Sequence, residues 1–262
     1  MKITEQCKFG IDDCVNKFVM INGVPQLDLV ITRNQDDFYE NRYDFRSADP
    51  SREMVADTYM LSSITKTITA FSIINFADHL GISLADPIAT QLPALTKFSQ
   101  LSTKLRVIDL LGHTAGVNSA KFNWASFSAA SERMGVLESF ETGEYRLSTD
   151  VGKMCSWSYA SISYDILGAL IELKSGSRFS AFIMEHVFKR LGMTQSYFDV
   201  SEIPAGKLCH PTVYDHGEVL KLEGVPNAVR HRPSTVLFST AKDLYKWGKY
   251  IASRGAVGSE LK

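Results

Sequence analysis

The apolar positions fall into segments of two different periods. Ile11, Val15 and Phe18 recur at helical spacing within residues 11–19, predicting a first helix that Asn22-Gly23 ends. Residues 27–32 (LDLVIT) are apolar and β-branched and read as a strand. Asn34-Gln35-Asp36 then turns the chain into a more polar strand over 37–45, giving a hairpin. Residues 63–80 (SITKTITAFSIINFADHL) predict a long helix, apolar on nearly every face and therefore buried, with Gly81 as its stop. Further helices are expected over 104–111, closed by Gly112, over 160–174, ended near Gly176, and over 179–191. In the last of these Phe179, Phe182, Ile183 and Phe188 share one stripe before Gly192. A loop with a hairpin is expected over 204–236. Thr240-Ala241-Lys242-Asp243 is a capping signature that opens a final helix through Leu244, Trp247 and Ile251. The stretch 118–150 is aromatic and polar without a period, and reads as an excursion covering another part of the fold. A hairpin alone is not a stable sheet, so helices must cover it or further strands must complete it.

Composition narrows the class. The chain has 262 residues, 45% of them hydrophobic and 22% charged, enough to bury a substantial core. With 28 basic and 29 acidic residues the formal net charge is −1, which argues against a nucleic-acid partner. The N-terminal residues contain no apolar run of the kind a secretory signal needs, and no stretch of about 18 apolar residues predicts a membrane span. Cys7, Cys14, Cys155 and Cys209 follow no zinc spacing, and reduced thiols in a cytoplasmic protein are expected. No metal or other cofactor is expected, because His-Glu-x-x-His, Walker and dinucleotide glycine patterns are all missing from the sequence.

Two segments could carry nucleophilic chemistry. Ser63-Ile64-Thr65-Lys66 puts a hydroxyl and an ammonium on one helical face, at a helix start that favours negative charge on oxygen. The helix that follows is apolar, so Lys66 is expected inside the fold, where a lysine can serve as a base. A second Ser-x-x-Lys, Ser239-Thr240-Ala241-Lys242, reads instead as an N-cap serine followed by an exposed lysine. Tyr159-Ala160-Ser161 could present a phenol that exchanges a proton with a serine near a cation, or simply a core tyrosine beside a capping serine. His113 reads as a structural histidine bonded to a loop.

The order of these segments resembles the serine β-lactamase-related family of class C β-lactamases, D-alanyl-D-alanine carboxypeptidases and related esterases. The resemblance spans residues 11–262 and rests on YMLSSITKTITA (59–70), LADPI (84–88), IDLLGHTAG (108–116), YASISYDILG (159–168), LGMT (191–194) and STAKDL (239–244). It implies an α/β fold of the α+β type, an antiparallel sheet flanked by helices beside an all-helical lobe. Residues 1–62 would supply the first helix and sheet strands, 63–200 the central and helical lobe, and 201–262 a return segment. It further implies Ser63 as nucleophile, Lys66 as its partner, Tyr159 as the proton-moving tyrosine, and a substrate-binding Ser161 in place of the family's asparagine. Ala115 stands where the family usually has serine.

The family's Lys-Thr-Gly or His-x-Gly strand, which lends an oxyanion-hole N–H, has no match in these residues. The sheet is therefore expected to be incomplete at the C-terminal end. The missing strands would lie beyond Lys262, or a second copy would supply them in a homo-oligomer. The implied activity is an acyl-enzyme hydrolase of a small-molecule ester, amide or lactam. Phe122, Trp124, Phe127, Phe140 and Tyr145 would either wall an acyl pocket or pack the helical lobe. The alternative is a non-catalytic member of the family, kept for binding or assembly.

Overall fold

A computed structural model describes residues 3–33, 37–44, 56–97, 104–119, 135–142, 147–149, 156–215, 218–221, 224–225 and 227–253. The chain starts with helix α1 (Glu5–Asn22), then strands β1 (Gln26–Arg33) and β2 (Asp37–Asp44). Strand β3 (Tyr59–Met60) leads through a 3-10 turn at Ser62–Ile64 into α2 (Thr65–Asn75) and α3 (Ala77–Leu80). Next come α4 (Ile88–Gln91), α5 (Val107–Leu111), β4 (Val117–Ser119), α6 (Val136–Thr142), β5 (Leu147–Thr149) and α7 (Ser161–Ser175). Helices α8 (Phe179–Ile183) and α9 (Lys189–Leu191) follow, then β6 (Ser196–Tyr197), β7 (Thr212–Asp215), β8 (Glu218–Lys221), β9 (Phe238–Ser239) and α10 (Ala241–Ala252).

The predicted hairpin forms, and strand alternation decides what each face does. Tyr39, Asn41 and Tyr43 share one face of β2, where both phenols and the Asn41 amide donate to the Asp12 carboxylate of α1. Asp12 is held below the ordinary carboxylate range by those three donors. On the other face Arg42 grips Asp28, its directly opposite residue on β1, through contacts of 2.7 and 3.0 Å. Glu40 on that face meets Lys242 at the start of α10. The hairpin is thus held between two helices.

The single flanked sheet expected from the resemblance is not what the described residues show. They contain four small antiparallel sheets: β1-β2, β3-β9-β6, β4-β5 and β7-β8. Among the described residues no third strand joins the hairpin, and α1 and α10 occupy its faces. The predicted 63–80 helix is also interrupted. It starts as a 3-10 turn and breaks at Phe76, whose ring turns inward against Phe71 and Phe182 while Asn75 bonds back to the Phe71 carbonyl. The 179–191 helix carries a π-turn at Met184–Phe188. The helices expected over 160–174 and after Thr240 form, as does a hairpin within 204–236, while α1 extends further at both ends, the 104–111 helix starts only at Val107, and α4 and α6 form where the patterning predicted no helix.

The core centres on α7, buried without interruption from Ile162 to Glu172. Around it pack α2, α3, α5, α6 and α8, with Ile68, Ile73, Leu110, Phe140, Ile166, Leu170, Phe179 and Ile183 at most 1% exposed. Glu172 explains how the helical lobe closes. Its carboxylate accepts the Leu137 and Phe179 N–H groups, each at 2.8 Å, satisfying unpaired donors at the starts of α6 and α8. Phe140 belongs to this core, so it packs the helical lobe and walls no pocket; Phe122, Trp124, Phe127 and Tyr145 lie outside the described residues.

Candidate active site

Strand pairing sets the entry to α2. Tyr59 and Met60 pair with Ser239 and Phe238 of β9, and the Leu61 N–H continues the ladder to the Leu237 carbonyl at 2.8 Å. Ser62 then adopts a left-handed backbone, φ 48°, a conformation that L side chains rarely take. The kink leaves Ser63 exposed on the first turn, while Thr65 and Lys66 drop into the interior.

Lys66 is only 5% exposed. Its ammonium donates to the Ser234 carbonyl at 2.8 Å and to Ser63 Oγ at 3.2 Å. It also lies 5.0 Å from the centre of the Tyr159 ring and 5.9 Å from that of Tyr164. The Tyr159 phenol donates to the same Ser63 Oγ at 2.8 Å. Burial pushes this phenol up, but hydrogen bonds with Lys66 and Ser63 and the lysine charge pull it down further. Its net pKa is therefore below the ordinary tyrosine value. Ser161, the first residue of α7, adds a smaller downward pull through its own hydrogen bond with that phenol.

His113 supports the tyrosine. It too has a left-handed backbone, φ 56°. Its carbonyl accepts the Ser158 N–H at 2.8 Å, and its Nδ1 accepts the Ala160 N–H at 3.2 Å, so it holds the chain on both sides of Tyr159. Burial and then the Lys66 charge lower the His113 pKa, which keeps the ring neutral and Nδ1 free to accept. The structural role expected for His113 is the one it has.

Beside Ser63 an apolar groove of about 920 Å³ opens between α2 and α10, with Ile64, Ala70, Phe71, Trp247 and Ile251 along its walls. The Trp247 indole donates to Thr67 Oγ1 at 3.0 Å and ties the two helices together. Among the described residues no three His, Cys, Asp or Glu side chains gather as a metal site, and no helix is long and apolar enough to cross a membrane.

The structure brings Ser63, Lys66, Tyr159 and Ser161 together and leaves Ser239 apart. Ser239 is fully buried, with its hydroxyl 2.8 Å from that of Ser196. The N-cap of α10 is Thr240, not Ser239. No residue pattern points to Ser234, which meets Lys66 through its backbone carbonyl. Asp165 and His231 were also missed, although an aspartate within the apolar run of α7 signals a buried partner.

An exposed serine clasped between a buried lysine and a phenol, at the start of a helix beside an α-helical lobe, defines a Ser-x-x-Lys protein of the β-lactamase and transpeptidase fold. The chain belongs to the Beta-lactamase family, whose sequence profile matches residues 11–262. Esterase EstB from Burkholderia gladioli is 26% identical over 229 residues, 79% of this chain and 57% of that protein. The octameric penicillin-binding protein homologue from Pyrococcus abyssi has the same fold, with a TM-score of 0.74 at 23% identity over 94% of this chain and 56% of that one. D-amino acid amidase from Ochrobactrum anthropi SV3 gives a TM-score of 0.73 at 17% identity, over 94% and 70% of the two chains. The chain thus spans little more than half the length of the first two.

Proposed function

We propose that the protein is a serine hydrolase that forms an acyl-enzyme on Ser63 with an ester, amide or lactam substrate. One observation carries the proposal: Ser63 Oγ lies 3.2 Å from a buried ammonium and 2.8 Å from a phenol whose pKa is lowered. Once Tyr159 is ionised, the 2.8 Å contact reverses and the serine donates its proton to the phenolate. Oγ then bonds to the substrate carbonyl carbon while Lys66 balances the negative charge that develops. The phenol returns the proton to the leaving alcohol or amine as the tetrahedral intermediate collapses. Water activated by the same phenolate releases the acid and restores Ser63. The esterase and amidase among the relatives support the substrate class. A cytoplasmic setting is part of the proposal, resting on the scattered cysteine spacing of the sequence, which suits reduced thiols.

Intact-mass spectrometry after exposure to a fluorophosphonate tests this directly. A single phosphonyl adduct, formed with loss of fluoride, is expected on the wild-type protein and should vanish in Ser63→Ala. Labelling that survives Ser63→Ala removes the nucleophile assignment. A folded wild-type protein that takes no label supports the non-catalytic alternative.

A further inference from the structure

A second buried polar pair lies behind the site. Asp165 sits one turn into α7, its side chain 1% exposed, with Oδ2 2.8 Å from His231 Nδ1. Arg230 Nε donates to His231 Nε2 from 3.4 Å, which leaves Nδ1 as the ring's donor toward the carboxylate. Among the described residues Asp165 Oδ1 has no hydrogen-bond partner. A carboxylate buried in an apolar helix is costly unless paired, so His231 is held firmly to α7.

His231 is also the hub of the next turn. Its carbonyl accepts the N–H groups of Ser234, Thr235 and Val236 at 3.1, 2.9 and 3.2 Å. The turn so formed delivers two carbonyls to α2: Pro233 to the Thr69 hydroxyl at 2.7 Å and Ser234 to the Lys66 ammonium at 2.8 Å. Pro233 lies so close to α7 that a Cβ at Gly168 would fall 2.0 Å from its ring. The turn is clamped between the helix that carries the nucleophile and the helix that begins beside Tyr159.

We infer that Asp165 and His231 are positioning residues for the lysine: they lock the turn so that the Ser234 carbonyl holds the Lys66 ammonium against Ser63 Oγ and the Tyr159 ring. The carbonyl takes one N–H of the ammonium and thereby aims another at the serine. Without the anchor at His231 the carbonyl drifts, the ammonium follows it, and the phenol loses the cation that favours its ionised form. The inference deepens the Ser63 mechanism proposed above and rests on it for its catalytic meaning.

The test reads the lysine's position in two ways. The groups facing the Tyr159 phenol are Lys66 from α2, His113 from the loop after α5 and Tyr164 from α7. Ultraviolet titration of the wild type minus Tyr159→Phe isolates the Tyr159 step, and the rate of fluorophosphonate labelling is followed on the same samples. In His231→Ala the Tyr159 step should rise by about one pH unit, and labelling should slow roughly 10- to 100-fold through misplacement of the lysine. His231→Asn, whose amide nitrogen takes the place of Nδ1, should restore most of both. Asp165→Asn, which keeps the volume and removes the charge, should shift both part of the way; it carries the test if His231→Ala does not fold. A folded variant without the pair that keeps the wild-type step and rate overturns the inference. A Tyr159 step that moves in a protein whose wild type takes no label upholds the positioning and sinks the Ser63 mechanism, so the two failures are distinct.

Discussion

Two of the chain's Ser-x-x-Lys motifs, those at Ser63 and Ser239, invert each other's environment. At Ser63 the serine is exposed and the lysine is 5% exposed, in contact with a carbonyl and a phenol ring. At Ser239 the serine is fully buried against Ser196, while the Lys242 side chain is 58% exposed and meets Glu40 at the surface. Both adjoin the same small sheet just before a helix, Ser63 shortly after β3 and Ser239 as the last residue of β9. Spacing alone therefore does not make a nucleophile. What matters is which partner is desolvated: a buried ammonium acts on an exposed hydroxyl with little screening, whereas a solvated ammonium beside a buried hydroxyl does not.

The comparison can be broken by experiment. Lys66→Ala should slow acylation of Ser63 by about 10²- to 10⁴-fold, whereas Lys242→Ala should leave the rate unchanged. Equal rates in the two variants, measured by time-resolved intact mass, would show that burial of the lysine is irrelevant. Tyr159→Phe keeps the ring under the ammonium and removes the proton acceptor, so roughly 10²-fold should be lost. The sign of its pH dependence follows from the lowered phenol pKa. In the wild type the labelling rate should climb as pH rises through a step below the ordinary tyrosine value near 10. Tyr159→Phe should lack that climb, and a variant that retained it would assign the step to another group. The smallest effect is expected at the second motif. Ser239→Ala removes the buried hydroxyl's bonds to Ser196 and to the Thr240 carbonyl and should cost about 1 kcal/mol of stability. In a chain of this length that lowers the melting temperature by about 2–4 °C. Labelling at Ser63 should be untouched.

Much of this was legible locally. The helix stops at Gly81, Gly176 and Gly192 all have left-handed φ, from 61° to 68°, as their positions after apolar stripes required. Thr240 caps α10 by accepting the Asp243 N–H at 3.3 Å, as the motif predicts. The first hairpin and the cluster of Ser63, Lys66, Tyr159 and Ser161 also follow from pattern and resemblance. What the sequence hid is non-local. The Ser234 carbonyl reaches Lys66 across 168 positions, and a backbone oxygen leaves no mark in residue type. The break at Phe76 depends on rings from α2 and α8. The β3-β9-β6 sheet left no pattern because its strands are two residues long, too short to show alternation.

The left-handed backbone at Ser62 makes the approach to Ser63 a source of instability. A non-glycine residue in that conformation stores on the order of 1–3 kcal/mol. Glycine at this position would relax the strain and raise the melting temperature, but it would also let the turn before Ser63 sample other orientations. If Ser63 reacts as proposed, selection for robustness and selection for reactivity pull this residue in opposite directions. A thermostabilised descendant of the protein would be expected to change here only where acyl transfer had ceased to matter.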